Sequence, residues 1–268
     1  MFGRRKEVVR VLSIDWDYFI GCDALTRLFK FPDGGNENLN PFLQEIVWNN
    51  RYSDEYKSSN GERSLSHIKV LDPDFKQMCA KLRSSQWREV TVMDSHLYVY
   101  EVVERAFKSA DKVEVWNVDF HHDMYRGLDN PEPLNCGNWV SKLHQKYRDA
   151  FIYHWVHRDD EESHNWFDLN KPVWYDRKDF GEMLEAQFDC IFICRSSVWS
   201  PPHLDAKFQW LVNQAALHTS RCLMSDQLKE PRHWNEHLYD GLELPVLQQA
   251  KLTKEVIDHE RNPNHLDG

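Results

Sequence analysis

No apolar stretch of this chain approaches the ~20 residues that a membrane-spanning helix needs. The opening Met1-Phe2-Gly3-Arg4-Arg5-Lys6 carries charge without the apolar core of a secretory signal. A soluble, cytoplasmic protein with no membrane partner is therefore expected. Positive charge is scarce, with 33 Lys and Arg against 43 Asp and Glu and a formal net charge of −10. A phosphate backbone would be repelled, which argues against nucleic-acid binding. The six cysteines, Cys22, Cys79, Cys136, Cys190, Cys194 and Cys222, form no CxxC pair and no metal-finger spacing. Reduced thiols fit that pattern better than a disulfide framework. There is no internal repeat. What the chain does have is apolar mass, 41% hydrophobic residues and 11 tryptophans in 268 residues, enough for one large domain over 1–268 with a substantial insertion.

The most informative stretch is Asp119-Phe120-His121-His122-Asp123, which closes the apolar run Val113–Val118. In an extended backbone, positions i, i+2 and i+4 share a face, so Asp119, His121 and Asp123 would project together. Two carboxylates and an imidazole side by side are costly unless a cation neutralises them. A second β-branched run, Val8–Ile14, leads into Asp15-Trp16-Asp17, again two acids expected on one face at a strand end. His96, in Met93-Asp94-Ser95-His96, stands where a helical pattern begins. Taken singly, Asp-Trp-Asp reads as a turn or cap and His96 as a surface residue. Together, four aspartates and two histidines from three places read as a metal site. Two divalent ions would bring the formal balance to −10 + 4 = −6, still acidic and suited to a cationic substrate.

Periodicity and turn chemistry place a strand at about 8–15, then a polar, irregular region to about 66. Helix is expected over 73–84, a short strand at 90–93, and a helix from 95 to 107 capped by Asp94 or Ser95. Strand 113–119, a loop over 124–136, helix 137–148 and strand 150–156 come next. Helix 178–187, strand 190–194 and a helix from Asp205 to about His218 complete the order, with Ser200-Pro201-Pro202 stopping the last strand. Alternating strands and helices predict an α/β fold, three layers α/β/α around a mostly parallel sheet. Ligands in such folds bind outside the carboxyl ends of the strands, where both aspartate motifs fall. Residues 22–70 are the expected insertion over the site. The acidic run at 159–162 reads as solvated surface and the tail around 260–265 as poorly ordered.

These residues resemble the binuclear manganese site of the ureohydrolase superfamily, the arginases and agmatinases. Asp119-Phe120-His121-His122-Asp123 matches that family's D-x-H-x-D element and Ser13-Ile14-Asp15-Trp16-Asp17 its S-x-D-x-D element. Asp94-Ser95-His96 stands for its Gly-Asp-His element, and Cys136-Gly137-Asn138 resembles the Ser-Gly-Asn that holds the substrate's amino-acid end. The S-x-D-x-D element comes first here, as in a permuted strand order, so the fold implied is arginase-like with permuted motif order. The shuttle histidine expected shortly after Ser-Gly-Asn is Val140, and the guanidinium-binding glutamate has no match near Arg195. The permutation, Cys-Gly-Asn-Trp and Arg-Ser-x-x-Trp-Ser-Pro-Pro look like the divergent branch that includes the peptide arginases of ribosomal-peptide biosynthesis. Those enzymes make a post-translational modification, arginine to ornithine with release of urea.

The resemblance implies two Mn²⁺ ions, with Asp119 and Asp15 bridging, His96 and Asp123 completing one, and His121 and Asp17 the other. A water between them would lose its proton near neutral pH and attack the guanidinium carbon. It implies Asp123 as proton relay, with His122 and His154 as candidate replacements for the missing shuttle. A guanidinium needs acidic or aromatic partners, for which Asp94, Tyr18, Trp139 and Trp155 are candidates. Asn138 and Arg195 are candidate holders of backbone or carboxylate groups. For Asn138 a helix cap, for Arg195 an ion pair, and for His154, Trp139 and Trp155 a place in the core are the competing readings. The expected partner is an arginine-containing precursor peptide. A small-molecule ureohydrolase or amide hydrolase with the same site, and a non-catalytic metal-stabilised binding protein, are the alternatives. The oligomeric state is not indicated.

Overall fold

The computed structural model describes residues 6–22, 26–27, 44–49, 51–52, 65, 68–160 and 173–232. Seven strands form one sheet, every pair parallel. In chain order these are β1 (Lys6–Asp15), β4 (Glu89–Met93), β5 (Ala110–Val118), β6 (Phe151–Val156), β7 (Asp176–Lys178), β8 (Cys190–Cys194) and β9 (Cys222–Met224). They lie side by side as β7-β6-β5-β1-β8-β4-β9. A separate two-stranded ladder pairs β2 (Ile20–Gly21) with β3 (Lys69–Val70). Among the described residues five helices with both ends defined cover the faces, α1 (Asp72–Ser84), α2 (Val99–Phe107), α3 (Trp139–Tyr147), α4 (Phe180–Glu185) and α5 (Asp205–Ala216).

Side-chain alternation along the buried strands explains the three layers. Leu12, Ile14, Val90, Val92, Ile191 and Ile193 point to the layer holding Met78 and Leu82 of α1 and Phe208 and Leu211 of α5. Val9, Val11, Val113, Val115 and Phe192 point the other way, onto Val99, Val103 and Ala106 of α2 and Trp139, Val140 and Leu143 of α3. At roughly 1.5–3 kcal/mol for each large side chain taken out of water, both layers outweigh any local preference of the loops. The expected α/β/α architecture is present.

Several boundaries differ from expectation, for identifiable reasons. The segment at 95–98 begins as a 3₁₀ turn over His96–Tyr98, capped by Ser95 Oγ accepting from Leu97 N at 3.2 Å, and becomes α-helical only at Val99. Asp205 does not cap α5; Leu204 holds that position without a side-chain bond, and Asp205 receives Arg232 instead. Strands β7 and β9, three residues each, are too short to carry a periodic signal. Most of the expected insertion at 22–70, part of the acidic run and the whole 260–265 tail lie outside the described residues. Among the described residues no helix is long and apolar enough to cross a membrane.

Candidate metal centre

The carboxyl ends of four adjacent strands, β5-β1-β8-β4, deliver the cluster. β1 ends on Asp15, and Asp17 follows within a 3₁₀ turn, Trp16–Phe19, whose second amide (Asp17 N) donates to Asp15 Oδ1 at 3.0 Å. β5 ends at Val118, and Asp119 through Asp123 leave the sheet. His96 arrives from the turn after β4. The chain geometry therefore corrects one expectation. The paired acids do not share the face of an extended strand; tight turns bring them together. His121 N folds back onto Asp119 Oδ1 at 2.7 Å, and Asp123 has φ of 52°, in the left-handed region.

Two groups of potential ligands result, Asp15 with His96 and Asp119, and Asp17 with Asp119 and His121, all buried and each within 4.8 Å of one another. His96 Nδ1 faces three carboxylates, Asp15 Oδ2 at 3.1 Å, Asp119 Oδ2 at 3.1 Å and Asp123 Oδ2 at 3.0 Å. His121 Nδ1 lies 3.0 Å from Asp17 Oδ2 and 3.8 Å from Asp119 Oδ1. Asp119 thus turns one oxygen to each histidine. All six residues named from the sequence as ligands come together here.

A shell of donors fixes these side chains. Ser13 Oγ meets the outer nitrogen of His96, Nε2, at 2.8 Å, which leaves Nδ1 directed inward. Ser196 Oγ donates to Asp15 Oδ2 at 2.6 Å, Asn117 Nδ2 to Asp119 Oδ2 at 3.0 Å, and Trp139 Nε1 to Asp123 Oδ2 at 2.6 Å. Trp155 Nε1 donates to the Asp119 carbonyl at 2.9 Å. Ser196, itself at φ of 49°, and Asn117 were not singled out from the sequence, because neither belongs to a spacing pattern of acids and histidines. Ser13 sits within the S-x-D-x-D match.

The charge balance is what calls for a cation. Taking one carboxylate out of water costs several kcal/mol unless it is paired, and here four share a pocket with two imidazoles. Burial, with Asp17 and Asp119 close by, pushes the Asp15 carboxyl up to about 7. Burial, with Asp123 and Asp17, pushes Asp119 up to about 8. For Asp17 burial acts upward but His121 overrides it and holds the group down at about 2. Burial opposes charge on His121, yet Asp17 and Asp119 raise it to about 9. His96 is raised well above the usual imidazole value, Asp123 and the hydrogen bonds to its acids outweighing burial. Asp17 Oδ2 is buried and faces His121 Nδ1 at 3.0 Å. Oxygen donors in excess, with one inward nitrogen per group, fit a pair of divalent cations of the Mn²⁺ type.

Of the substrate residues named from the sequence, Trp139 and Trp155 reach the cluster and the others are bonded elsewhere. Asp94 and Arg195 are bound to each other, Arg195 Nε to Asp94 Oδ1 at 3.0 Å, and both are buried. Gln44 Nε2 occupies the second oxygen of Asp94 at 2.8 Å, and Arg195 also lies 3.6 Å from Asp205. Neither is placed to receive a guanidinium or a carboxylate. Asn138 spends its amide on its own loop, accepting from Asn135 N and donating to the Pro133 carbonyl, each at 2.8 Å. Trp139 is buried as a donor to Asp123, and Tyr18 is buried with its hydroxyl 3.4 Å from Asp74. His154 points to the Trp116 face of the sheet, where Glu114 lies at 3.2 Å and Asp176 at 3.5 Å, so a shuttle role for it is not supported by its position. Val140 is packed in the core of α3. His122 is half-buried beside the cluster, its Nδ1 accepting from Met124 N at 3.0 Å.

No protein-family model, curated protein or solved structure matches this chain.

Proposed function

We propose that the protein is a binuclear manganese hydrolase of the arginase type, converting peptidyl arginine to ornithine and urea. One observation carries the metal part of this reading. Asp119 offers one oxygen to a group centred on His96 and the other to a group centred on His121, the arrangement two adjacent cations require. Two bound divalent cations supply an activated water near neutral pH and stabilise developing negative charge. The chain's own residues do the rest. Asp15, Asp17, Asp119 and Asp123 balance the cations' charge, while Ser13, Ser196, Asn117 and Trp139 hold the ligands in register. Asp123, with one oxygen tied to Trp139, is the proton carrier to the leaving nitrogen, and half-buried His122 links that position to solvent.

The commitment of Asn138 and Arg195 to internal partners favours a peptide over a free amino acid. A residue inside a peptide has no free α-carboxylate or α-amine to anchor. Purified protein loaded with Mn²⁺ and given an arginine-containing peptide is expected to release urea, with a mass loss of about 42 Da at each converted site, the result of attack by metal-activated water. Turnover of free arginine or agmatine with no action on peptides would overturn the substrate class. Metal uptake without any hydrolysis would make the cluster a stabilising site in a binding protein.

A further inference from the structure

The six clustered side chains are not equally enclosed. Four retain 0–5% of their exposure, whereas Asp123 keeps 7% and His121 11%. Of the six, His121 is the side chain most open to solvent, and its side is the candidate approach to the cluster. Two aromatic rings stand against His121 on that approach, buried Trp199 at 5.5 Å between centroids and Tyr125 at 6.4 Å. The Tyr125 ring also lies 4.8 Å from that of His122. Unlike Trp199, Tyr125 is 37% exposed, an aromatic ring kept at the surface next to a buried acidic pocket.

The loop between β5 and α3 is built to hold that ring. Tyr125 N donates to the Gly137 carbonyl at 2.9 Å, and its own carbonyl accepts from Asn130 Nδ2 at 2.8 Å. A Cβ at Gly137 would stand 3.0 Å from Tyr125 Cδ2, so a side chain there would press on the ring. Asn138 and Asn135 lock the turn that carries Gly137, through Asn138 Oδ1 to Asn135 N at 2.8 Å and Asn135 Oδ1 to Gly137 N at 3.0 Å. The Cys-Gly-Asn segment thus seats Tyr125. Backbone bonds on both sides of Tyr125 fix where its ring is presented, which lowers the ordering cost of a contact there.

Resting on the function proposed above, we propose that Tyr125 is the specificity-determining residue at the mouth of the site. Its ring contacts the cationic side chain's stem and the peptide flanking it, and selects a peptidyl residue over the free amino acid. A tyrosine face suits both, through cation–π attraction and stacking on flat peptide groups.

The test uses the reaction's own product, which cannot be hydrolysed further. Binding of the blocked tripeptide acetyl-Gly-Orn-Gly-amide and of free ornithine to the Mn²⁺-loaded protein is measured by calorimetry for wild type, Tyr125→Ala and Tyr125→Phe. Tyr125→Ala should weaken the tripeptide about tenfold, the effect of one such aromatic contact, and free ornithine less than twofold. Tyr125→Phe should stay within about threefold of wild type, because the ring carries the contact. Equal weakening of both ligands, unchanged tripeptide binding in Tyr125→Ala, or a wild type that does not bind the tripeptide would overturn the proposal. Urea release from arginine peptides is followed in parallel. Its absence with the tyrosine effect intact sinks the hydrolase reading alone, and its presence without the effect sinks the tyrosine alone.

Discussion

Two buried charge clusters sit at the same sheet rim, a few residues apart in sequence, and they are built on opposite principles. In the first, Asp94 and Asp205 meet Arg195 and Arg232, with bonds of 3.0 Å from Arg195 Nε to Asp94 and 2.9 Å from Arg232 Nε to Asp205. Serines add further bonds: Ser197 Oγ donates to Asp94, and Ser200 Oγ to the Arg195 carbonyl. The protein supplies both signs, and the cluster ties the segment after β8 to the turn after β4 and the start of α5. In the second, Asp15, Asp17, Asp119 and Asp123 surround His96 and His121, and the charge of buried Arg27 also acts on Asp17. A buried cluster that balances itself is structural; one with four carboxylates around two imidazoles could hold a cation from outside.

The contrast breaks most visibly at Asp15. Its Oδ1 accepts from Asp17 N and its Oδ2 from Ser196 Oγ, a hydroxyl that can reverse to accept from an amide. Asp15→Asn therefore keeps the shape and the Asp17 N bond while removing one excess charge and the carboxylate oxygen that faces His96 Nδ1 at 3.1 Å. It should abolish Mn²⁺ binding and turnover, yet make the metal-free protein more stable by about 1 kcal/mol, since a crowded buried carboxylate is gone. Chemical denaturation in chelator reads the second effect. Arg195→Met should do the reverse. It strands Asp94 without its guanidinium and should cost about 3–5 kcal/mol of folding stability, with or without metal.

Trp139→Phe probes the donors behind the ligands. It preserves most of the packing on α3 but removes the Nε1 hydrogen bond to Asp123, and Mn²⁺ affinity should fall about 10–100-fold, as for other such outer contacts. A smaller and graded effect follows pH. In the metal-free protein Asp15 and Asp119 have raised values, about 7 and about 8, and the two histidines are raised as well. These groups hold protons near neutrality that a cation must displace. Mn²⁺ binding should release protons, and affinity should climb as pH rises from 6 to 8 by up to about tenfold per unit for each proton displaced. Calorimetry in buffers of different ionisation enthalpy measures that release.

How much of this was legible in the sequence depends on distance along the chain. The β-branched runs at 8–14, 113–118 and 190–194 are long enough to declare the central strands, and D-x-H-x-D and D-x-D declare themselves within five residues. What brings the acids together was not legible: a 3₁₀ turn after β1 and a left-handed Asp123 after β5 replace the extended face that alternation suggested. The pairing of Asp94 with Arg195 spans 101 positions and leaves no local trace, so both looked available for substrate. Ser196 and Tyr125 escaped notice for the same reason. One matters because β8 and β1 are neighbours, the other because Gly137 lies under its ring.

The proposed function requires the acidic cluster to hold two cations. Saturating the full-length protein with Mn²⁺, removing excess ion and measuring bound metal per chain, with electron paramagnetic resonance for magnetic coupling between ions, tests it directly. The account predicts two coupled Mn²⁺ per chain in the wild type, and loss of the coupled pair in Asp15→Asn. A folded wild type that binds one ion or none, or an Asp15→Asn variant that still holds the coupled pair, would contradict it.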